Sequence, residues 1–264
     1  MKRDVGARIA LTVTEPAELV FSFAVAADAA TSAENILFSL DGAPVEAEEL
    51  VDAHGTRLHR VKAGTGSLVA SYTATVEGRI PAEDVDPTDL IRYLRPSRYC
   101  ESDTLGPTAA AEFGGLSGGA LLDAVSSWVG TRLAYVSGSS LPTDGAARTL
   151  LARQGVCRDY AHLCVALLRA RNVPARLVSV YAPGLDPMDF HAVAEAYVEG
   201  GWHVVDATTL APRGTMLRIA TGRDASDTAF LTTIAGRIAF DGLEVTAVAD
   251  ALPGDDITKL DRLG

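Results

Sequence analysis

The pattern of apolar and polar positions divides the chain into a β-rich first part and a mixed second part. Short alternating or β-branched runs, separated by glycine-containing turns, fill residues 1–80 and predict an antiparallel sheet or sandwich. Four prolines mark residues 81–118 as a connector that packs on the second part. Residues 119–264 combine helical and strand patterns. The sequence therefore predicts an α+β protein with an all-β N-terminal domain, a connector and a second domain.

One helix of the second domain is apolar on nearly every side. Leu163 to Leu168 form an uninterrupted apolar run, so we expect this helix to be central, buried and packed on an antiparallel sheet. Only its first turn is polar, and it begins at Cys157, just after Gly155. Free backbone N–H groups at a helix start favour the thiolate over the thiol. Cys157 is therefore the candidate nucleophile, although a lone intracellular cysteine is more often a small buried apolar residue.

A cysteine nucleophile requires a nearby imidazole and a third group that orients it. His162 lies on the same helix as Cys157 and projects about 140° away from it. His203 precedes Asp206 by three residues on one strand, which places the two side chains on opposite faces of the sheet. His191, on the preceding strand, is left as the candidate base, with Asp206 as the orienting group.

The register of the two strands decides whether His191 and Asp206 can meet. A two-residue turn at Glu199-Gly200 pairs Val198 with Gly201 and makes the two side chains diagonal neighbours, about 7 to 8 Å apart between backbones. A turn one residue later would separate them by about 13 Å along the strand. We predict the first register.

We do not expect the other histidines and cysteines to act in catalysis or to bind a metal. His54 and His59 are expected at the surface or in turns of the first domain. Cys157, His162 and Cys164 lie on one helix and do not converge on a point, so no metal is expected. The sequence contains no phosphate-binding glycine loop and no dinucleotide fingerprint, and we expect no cofactor.

The amino-acid composition restricts the classes of partner that the protein can bind. The 264 residues are 48% hydrophobic and 22% charged, with 34 acidic and 23 basic residues and a net charge of -11. This excess of negative charge argues against nucleic acid and against an anionic membrane surface. Three cysteines cannot all pair, no secretory leader is visible, and no apolar run reaches the about 20 residues of a membrane span. We expect a cytoplasmic location, and the oligomeric state stays open.

Five short motifs resemble, in order, those of the transglutaminase-like superfamily of papain-fold cysteine enzymes, bacterial type with an N-terminal β domain. They are Gly155–Asp159, Asn172–Val178, His191-Ala192, Trp202 and Asp206–Thr208, within about residues 120 to 210. The family often has an aromatic residue where this chain has Val193, and a proline where it has Ala207. Neither departure removes a reacting group, so both bear on substrate contacts.

The resemblance implies a cysteine-dependent amide-bond hydrolase, a peptidase or amidase, acting on a peptide or protein amide. Cys157, His191 and Asp206 would form its catalytic triad and work through a thioester acyl-enzyme. The Cys157 backbone N–H is one candidate donor to the oxyanion. Residues expected to bind substrate or support the site are Gln154, a candidate second oxyanion donor, together with Arg158, Asp159 and Trp202.

Two alternative functions stay open. One is a cross-linking acyl transferase, in which an amine of a second protein rather than water accepts the glutamine acyl group. The other is an inactive papain-fold module that binds peptides in its cleft. Only the enzymes require the complete set of Cys157, His191 and Asp206, and the single added β domain favours water as the acceptor.

Overall fold

A computed structural model describes residues 1–82 and 84–264. The strands are β1 (Lys2–Phe21), β2 (Thr31–Leu40), β3 (Ala43–Pro44), β4 (Ala47–Val51), β5 (Arg57–Ala63), β6 (Gly66–Glu77), β7 (Ala134–Tyr135), β8 (Gln154–Gly155), β9 (Ala175–Tyr181), β10 (Phe190–Val198), β11 (Gly201–Val205), β12 (Leu217–Gly222) and β13 (Leu231–Ala249). The helices are α1 (Pro87–Arg92), α2 (Gly106–Phe113), α3 (Gly118–Arg132), α4 (Ala146–Ala152) and α5 (Cys157–Ala170).

The large sheet is organised around β1. Alternate side chains of β1, such as Ile9, Leu11 and Leu19, are buried, as expected for a strand with one face on the core. β6 pairs with the first part of β1 and β5 with its last part, while β13 pairs along the opposite edge from Arg3 to Phe21. β2 and β4 pair with β6 and β5 farther out, and β3 pairs with β2.

The pairing of β13 differs from the predicted division of the chain. We placed residues 231–249 in the second domain, residues 119–264, whereas in the structure they form hydrogen bonds with β1 in the large sheet. A strand partner more than two hundred positions away leaves no mark in the local pattern, so the sheet to which this strand belongs could not be predicted. The proposed boundaries at 80 and 118 stay predictions.

The second sheet carries the candidate site. Its order is β11-β10-β9-β12, and all neighbours are antiparallel. Helix α5 packs on β9 and β10, and every residue from Leu163 to Leu168 is fully buried. The helices α2 and α3 cover the other side of α5. The predicted α+β class with a β-rich N-terminal region is confirmed.

His59 is buried in β5, so its predicted position at the surface or in a turn is wrong, whereas His54 lies in a turn, as predicted. His59 is 2% exposed, and its Nε2 lies 3.0 Å from the Glu49 carboxylate. His54 does lie in a turn, but its Nε2 is 3.1 Å from the Asp89 carboxylate and its side chain is almost covered. Each imidazole has a carboxylate partner, which makes burial tolerable.

None of the helices among the described residues is both long enough and apolar enough to cross a membrane.

Candidate active site

The start of α5 holds Cys157 in a fixed, half-buried position. The side chain of Val156, the residue before the helix, offers no acceptor for the free N–H groups. Asp159 compensates, because its Oδ2 accepts from the Val156 N–H at 2.8 Å and its Oδ1 accepts from the Ser140 hydroxyl at 2.9 Å. A Cβ at Gly155 would come within 2.6 Å of the Asp159 side chain, which explains the glycine there. These contacts give Asp159 the predicted position beside the site.

Arg158 joins the helix start to the preceding loop. Its Nη2 donates to Ser140 Oγ at 2.7 Å and to the Leu141 carbonyl at 2.9 Å. The arginine therefore ties the loop to the helix that carries Cys157, and its side chain also lines the cleft in front of the sulfur.

His191 and Asp206 meet as predicted. Val198 pairs with Gly201, so the turn is at Glu199-Gly200, and the His191 Nε2 lies 2.9 Å from the Asp206 Oδ2. Both side chains are buried. The second carboxylate oxygen, Oδ1, accepts from the backbone N–H of Thr208 at 2.9 Å and from its hydroxyl at 2.7 Å. Three donors thus hold the Asp206 carboxylate in one orientation.

The charges of this pair support each other. Burial opposes protonation of His191, but the Asp206 carboxylate and the Cys157 side chain outweigh it and raise the pKa of His191 to about 10. Burial would raise the pKa of Asp206, and the His191 imidazolium together with Thr208 lowers it instead. Because Nε2 is bonded to Asp206, Nδ1 is the ring nitrogen left for Cys157. An imidazolium at neutral pH is the partner that a thiolate requires.

An open cleft of about 510 Å³ lies in front of these groups. The second sheet and α5 contribute Cys157, His191, Arg158, Asp189, Leu177 and Ser179 to its wall. The large sheet contributes Phe230, Leu231, Thr232 and Leu243. Burial raises the pKa of the Asp189 carboxyl, although the neighbouring His191 charge opposes this effect. The cleft therefore runs between the two sheets and is largely apolar, with charged groups close to the sulfur.

Tyr135, which the sequence did not reveal, interacts with Cys157 and lines a neighbouring cleft together with Tyr160 and Thr208. It lies in β7, which pairs in parallel with β8, so Tyr135 is opposite Gly155. Burial and then the Cys157 sulfur raise the pKa of Tyr135 to about 12, while a hydrogen bond with the Cys157 backbone N–H opposes the rise. The phenol hydroxyl therefore lies at the start of α5. A two-residue strand gives no periodic signal, so local pattern could not have found it.

Two residues predicted to bind substrate or support the site do not line the cleft. Gln154 is exposed in β8, and it is not among the described residues that line the cleft. Trp202 packs its ring against the Arg176 guanidinium, with the guanidinium carbon 4.1 Å from the ring centroid. It is likewise not among the described residues that line the cleft, and we infer no substrate contact for either.

The cluster around Trp202 is a buried ionic network in the second sheet. The Glu195 carboxylate, 1% exposed, lies 2.8 Å from Arg176 and 2.9 Å from Arg218. Burial would raise the pKa of Glu195, and the two arginines lower it. This network links β10, β9 and β12 within the second sheet.

His162 has a structural environment. Its ring stacks on Tyr99 with centroids 5.4 Å apart, and its Nε2 accepts from the Ala225 N–H at 3.1 Å. Burial lowers the pKa of His162 to about 3. This geometry agrees with the exclusion of His162 as the base. The described residues also contain no group of three or more histidine, cysteine or acidic side chains arranged to hold a metal.

The chain resembles known proteins over part of its length and, in the case of one solved structure, over nearly all of it. The transglutaminase-like superfamily model matches residues 109–207. The crystal structure of a candidate cysteine protease from Cytophaga hutchinsonii is 34% identical with a TM-score of 0.87, and the match covers 96% of this chain and 92% of that one. The fold and the arrangement of the site are thus those of the cysteine enzymes. The chain belongs to the transglutaminase-like superfamily, as predicted.

Mycobacterial relatives match shorter stretches. An uncharacterised protein of Mycobacterium leprae is 30% identical over 138 residues, 48% of this chain and 50% of that protein. One of Mycobacterium tuberculosis is 44% identical over 63 residues, 22% of this chain and 20% of that protein. The chain therefore spans half or less of the length of these curated relatives.

Proposed function

We propose that the protein is a cysteine-dependent amide-bond hydrolase, a peptidase or amidase with a papain-like core, in which Cys157, His191 and Asp206 act as a catalytic triad. The observation that carries the proposal is the buried His191–Asp206 pair beside a cysteine at a helix start. A module that only binds peptides needs neither an imidazolium held by a carboxylate nor a half-exposed thiol next to it. The name of the Cytophaga relative agrees with this function.

The first step, acylation, uses the Cys157 thiolate and the His191 imidazolium. The Cys157 thiolate attacks the carbonyl carbon of the amide, and the C=O electrons move to oxygen. As the tetrahedral intermediate collapses, the C–N bond breaks, and the His191 imidazolium gives its proton to the leaving amine. A thioester remains on Cys157, and Asp206 keeps the imidazole oriented throughout.

Deacylation reverses the role of the imidazole. Neutral His191 takes a proton from water as the water oxygen attacks the thioester. The C–S bond then breaks, a carboxylic acid leaves, and the thiolate–imidazolium pair is restored. In both steps we assign stabilisation of the oxyanion to the Cys157 N–H and to the Tyr135 hydroxyl, which lie together at the start of α5.

Loss of peptide cleavage in a Cys157→Ala variant tests the nucleophile, and the same loss in His191→Ala tests the base. Each variant should keep the circular dichroism spectrum of the parent, so that misfolding is not mistaken for inactivity. Hydrolysis by Cys157→Ala at the parent rate would contradict the mechanism. If the parent cleaves no peptide and its thiol reacts with iodoacetamide only at alkaline pH, the binding-module alternative replaces it.

Water is proposed as the acyl acceptor because Cys157 is half-exposed in an open cleft. Incubation with a glutamine peptide and a primary amine separates the alternatives, since mass spectrometry distinguishes the carboxylate from the amine adduct. Predominant adduct at modest amine concentration would replace the hydrolase with the acyl transferase. The cytoplasmic location stays a prediction.

A further inference from the structure

Phe230, the residue just before β13, and the first two residues of the strand, Leu231 and Thr232, line the Cys157 cleft. Successive side chains of a strand point to opposite faces of its sheet. A cleft that touches three residues in a row therefore meets the strand at its edge, where the backbone is accessible.

That edge has no strand partner among the described residues. β13 pairs with β1 along its whole length, and this pairing occupies the opposite edge. The Ser22 N–H, just after β1, donates to the Phe230 carbonyl at 3.0 Å, so the carbonyl of residue 230 points to the β1 side. Because these directions alternate along an antiparallel strand, the N–H and C=O groups of Leu231 and Thr233 face the cleft side.

The accessible edge is short and bounded. Leu231, Thr232 and Thr233 pair in regular register with Phe21, Val20 and Leu19. Beyond Thr233 the β1–β13 pairing shifts register four times before Gly242, and bulges of this kind stop a further strand from pairing. An added strand can therefore extend over about three residues here, at the end beside Cys157.

The side chains around this edge determine which kind of substrate can bind there. Phe190 and Phe230 lie with ring centroids 5.5 Å apart, and Leu177 and Leu243 complete an apolar wall. Among the described residues that line the cleft, the charged side chains other than His191 are Arg158 and Asp189. Apolar side chains of an extended peptide match this lining, whereas a small amide would leave most of it empty.

We propose that the substrate binds as an added β-strand on the free edge of residues 231–233, which presents its scissile amide to Cys157. The substrate class is then an extended peptide segment with apolar side chains, from a loop or an unfolded chain. This inference deepens the proposed function and rests on it. Main-chain hydrogen bonds give such strands their affinity, and the pockets between side chains give selectivity.

Alkylation of Cys157 by chloromethyl ketones tests the inference without knowledge of the natural sequence. Rates for acetyl-Leu-Val-Ala and acetyl-Ala chloromethyl ketones, followed by intact mass, are each divided by the iodoacetamide rate of the same variant. We expect a clear tripeptide advantage in the parent. Thr233→Pro removes one free-edge N–H and should reduce that advantage by about tenfold, the effect of one to two main-chain hydrogen bonds.

The same strand offers a matched control. The Asp250 N–H donates to the Lys2 carbonyl, so the N–H of Ala249 faces the same free edge as that of Thr233, but at the other end of β13. Ala249→Pro should keep the tripeptide advantage, and Thr233→Val, which retains the N–H, should keep it too. Equal loss in both proline variants, or none in Thr233→Pro, would overturn edge binding.

A second readout uses the peptide. Methylation of single amide nitrogens along the tripeptide ketone should slow alkylation at alternate positions only, because alternate amides face β13. Uniform slowing, or no effect at any position, would contradict the added strand. A parent thiol unreactive to iodoacetamide at neutral pH would instead count against the proposed function, which keeps the two failures distinct.

Discussion

The Asp206 carboxylate contacts the His191 imidazole at 2.9 Å across a hairpin whose turn is at Glu199-Gly200. Both groups are buried, and neither would hold its charge there without the other. The turn position therefore sets the charge state of the two side chains, because a shift of one residue would separate them.

We predict that Asp206→Asn folds normally but loses activity by about 10⁴-fold, the magnitude expected when the orienting carboxylate of a triad becomes an amide. The pH profile should change as well. Asp206 raises the pKa of His191 to about 10, so the parent imidazolium persists to alkaline pH and is lost as pH rises through that value. In the variant, the alkaline limb of kcat/KM should move to lower pH. An unchanged alkaline limb would mean that Asp206 does not control the pKa of His191.

Tyr135→Phe should lower kcat by about 10² while KM changes little, because a donor to an oxyanion acts in the transition state. Tyr160→Phe is the matched control. The Tyr160 hydroxyl donates to the Leu133 carbonyl at 3.0 Å, so its removal should affect stability and leave kcat near the parent value. If both variants lose kcat equally, the effect of Tyr135 is structural.

Glu195→Ala should lower the free energy of unfolding by about 3 to 5 kcal/mol, because it removes a buried carboxylate that pairs with the guanidinium groups of Arg176 and Arg218. The pKa of Glu195 is lowered in the folded protein, so its contribution is present above about pH 4.5 and is lost as pH falls. The deficit of the variant in urea unfolding should therefore shrink from pH 7 to pH 4.

Glu244→Ala serves as the control for this measurement. The Glu244 carboxylate is exposed and lies 3.8 Å from Arg8, so its loss should change stability by less than about 0.5 kcal/mol. Comparable losses in the two variants would mean that burial of the ionic network is not what stabilises the sheet.

Local and short-range features were predictable from the sequence, and long-range pairings were not. The apolar run after Cys157 predicts a buried helix. The two-residue turn at Glu199-Gly200 predicts the register of the hairpin and, through it, the contact of His191 with Asp206. The position of β13 beside β1 depends on residues more than two hundred positions apart. Tyr135 reaches Cys157 through a two-residue strand that carries no pattern.

The buried histidine of α5 should contribute to stability and not to thiol reactivity. His162→Ala should leave alkylation of Cys157 by iodoacetamide largely intact, because the ring contacts Tyr99 and the Ala225 N–H. The variant should nevertheless be about 2 to 3 kcal/mol less stable at pH 7.5, since it empties core volume and leaves that N–H unpaired. Loss of labelling in a folded variant would make His162 part of the site.

The pH dependence of this loss of stability tests whether the buried His162 imidazole is neutral. Burial lowers the pKa of His162 to about 3, so only the unfolded chain takes up its proton near pH 6.5. The stability that His162 provides is complete above that pH and declines as pH falls. In urea unfolding the gap between parent and His162→Ala should therefore narrow by about 1.4 kcal/mol from pH 7.5 to pH 5.5. A gap that stays constant or widens would mean that His162 is protonated in the folded protein.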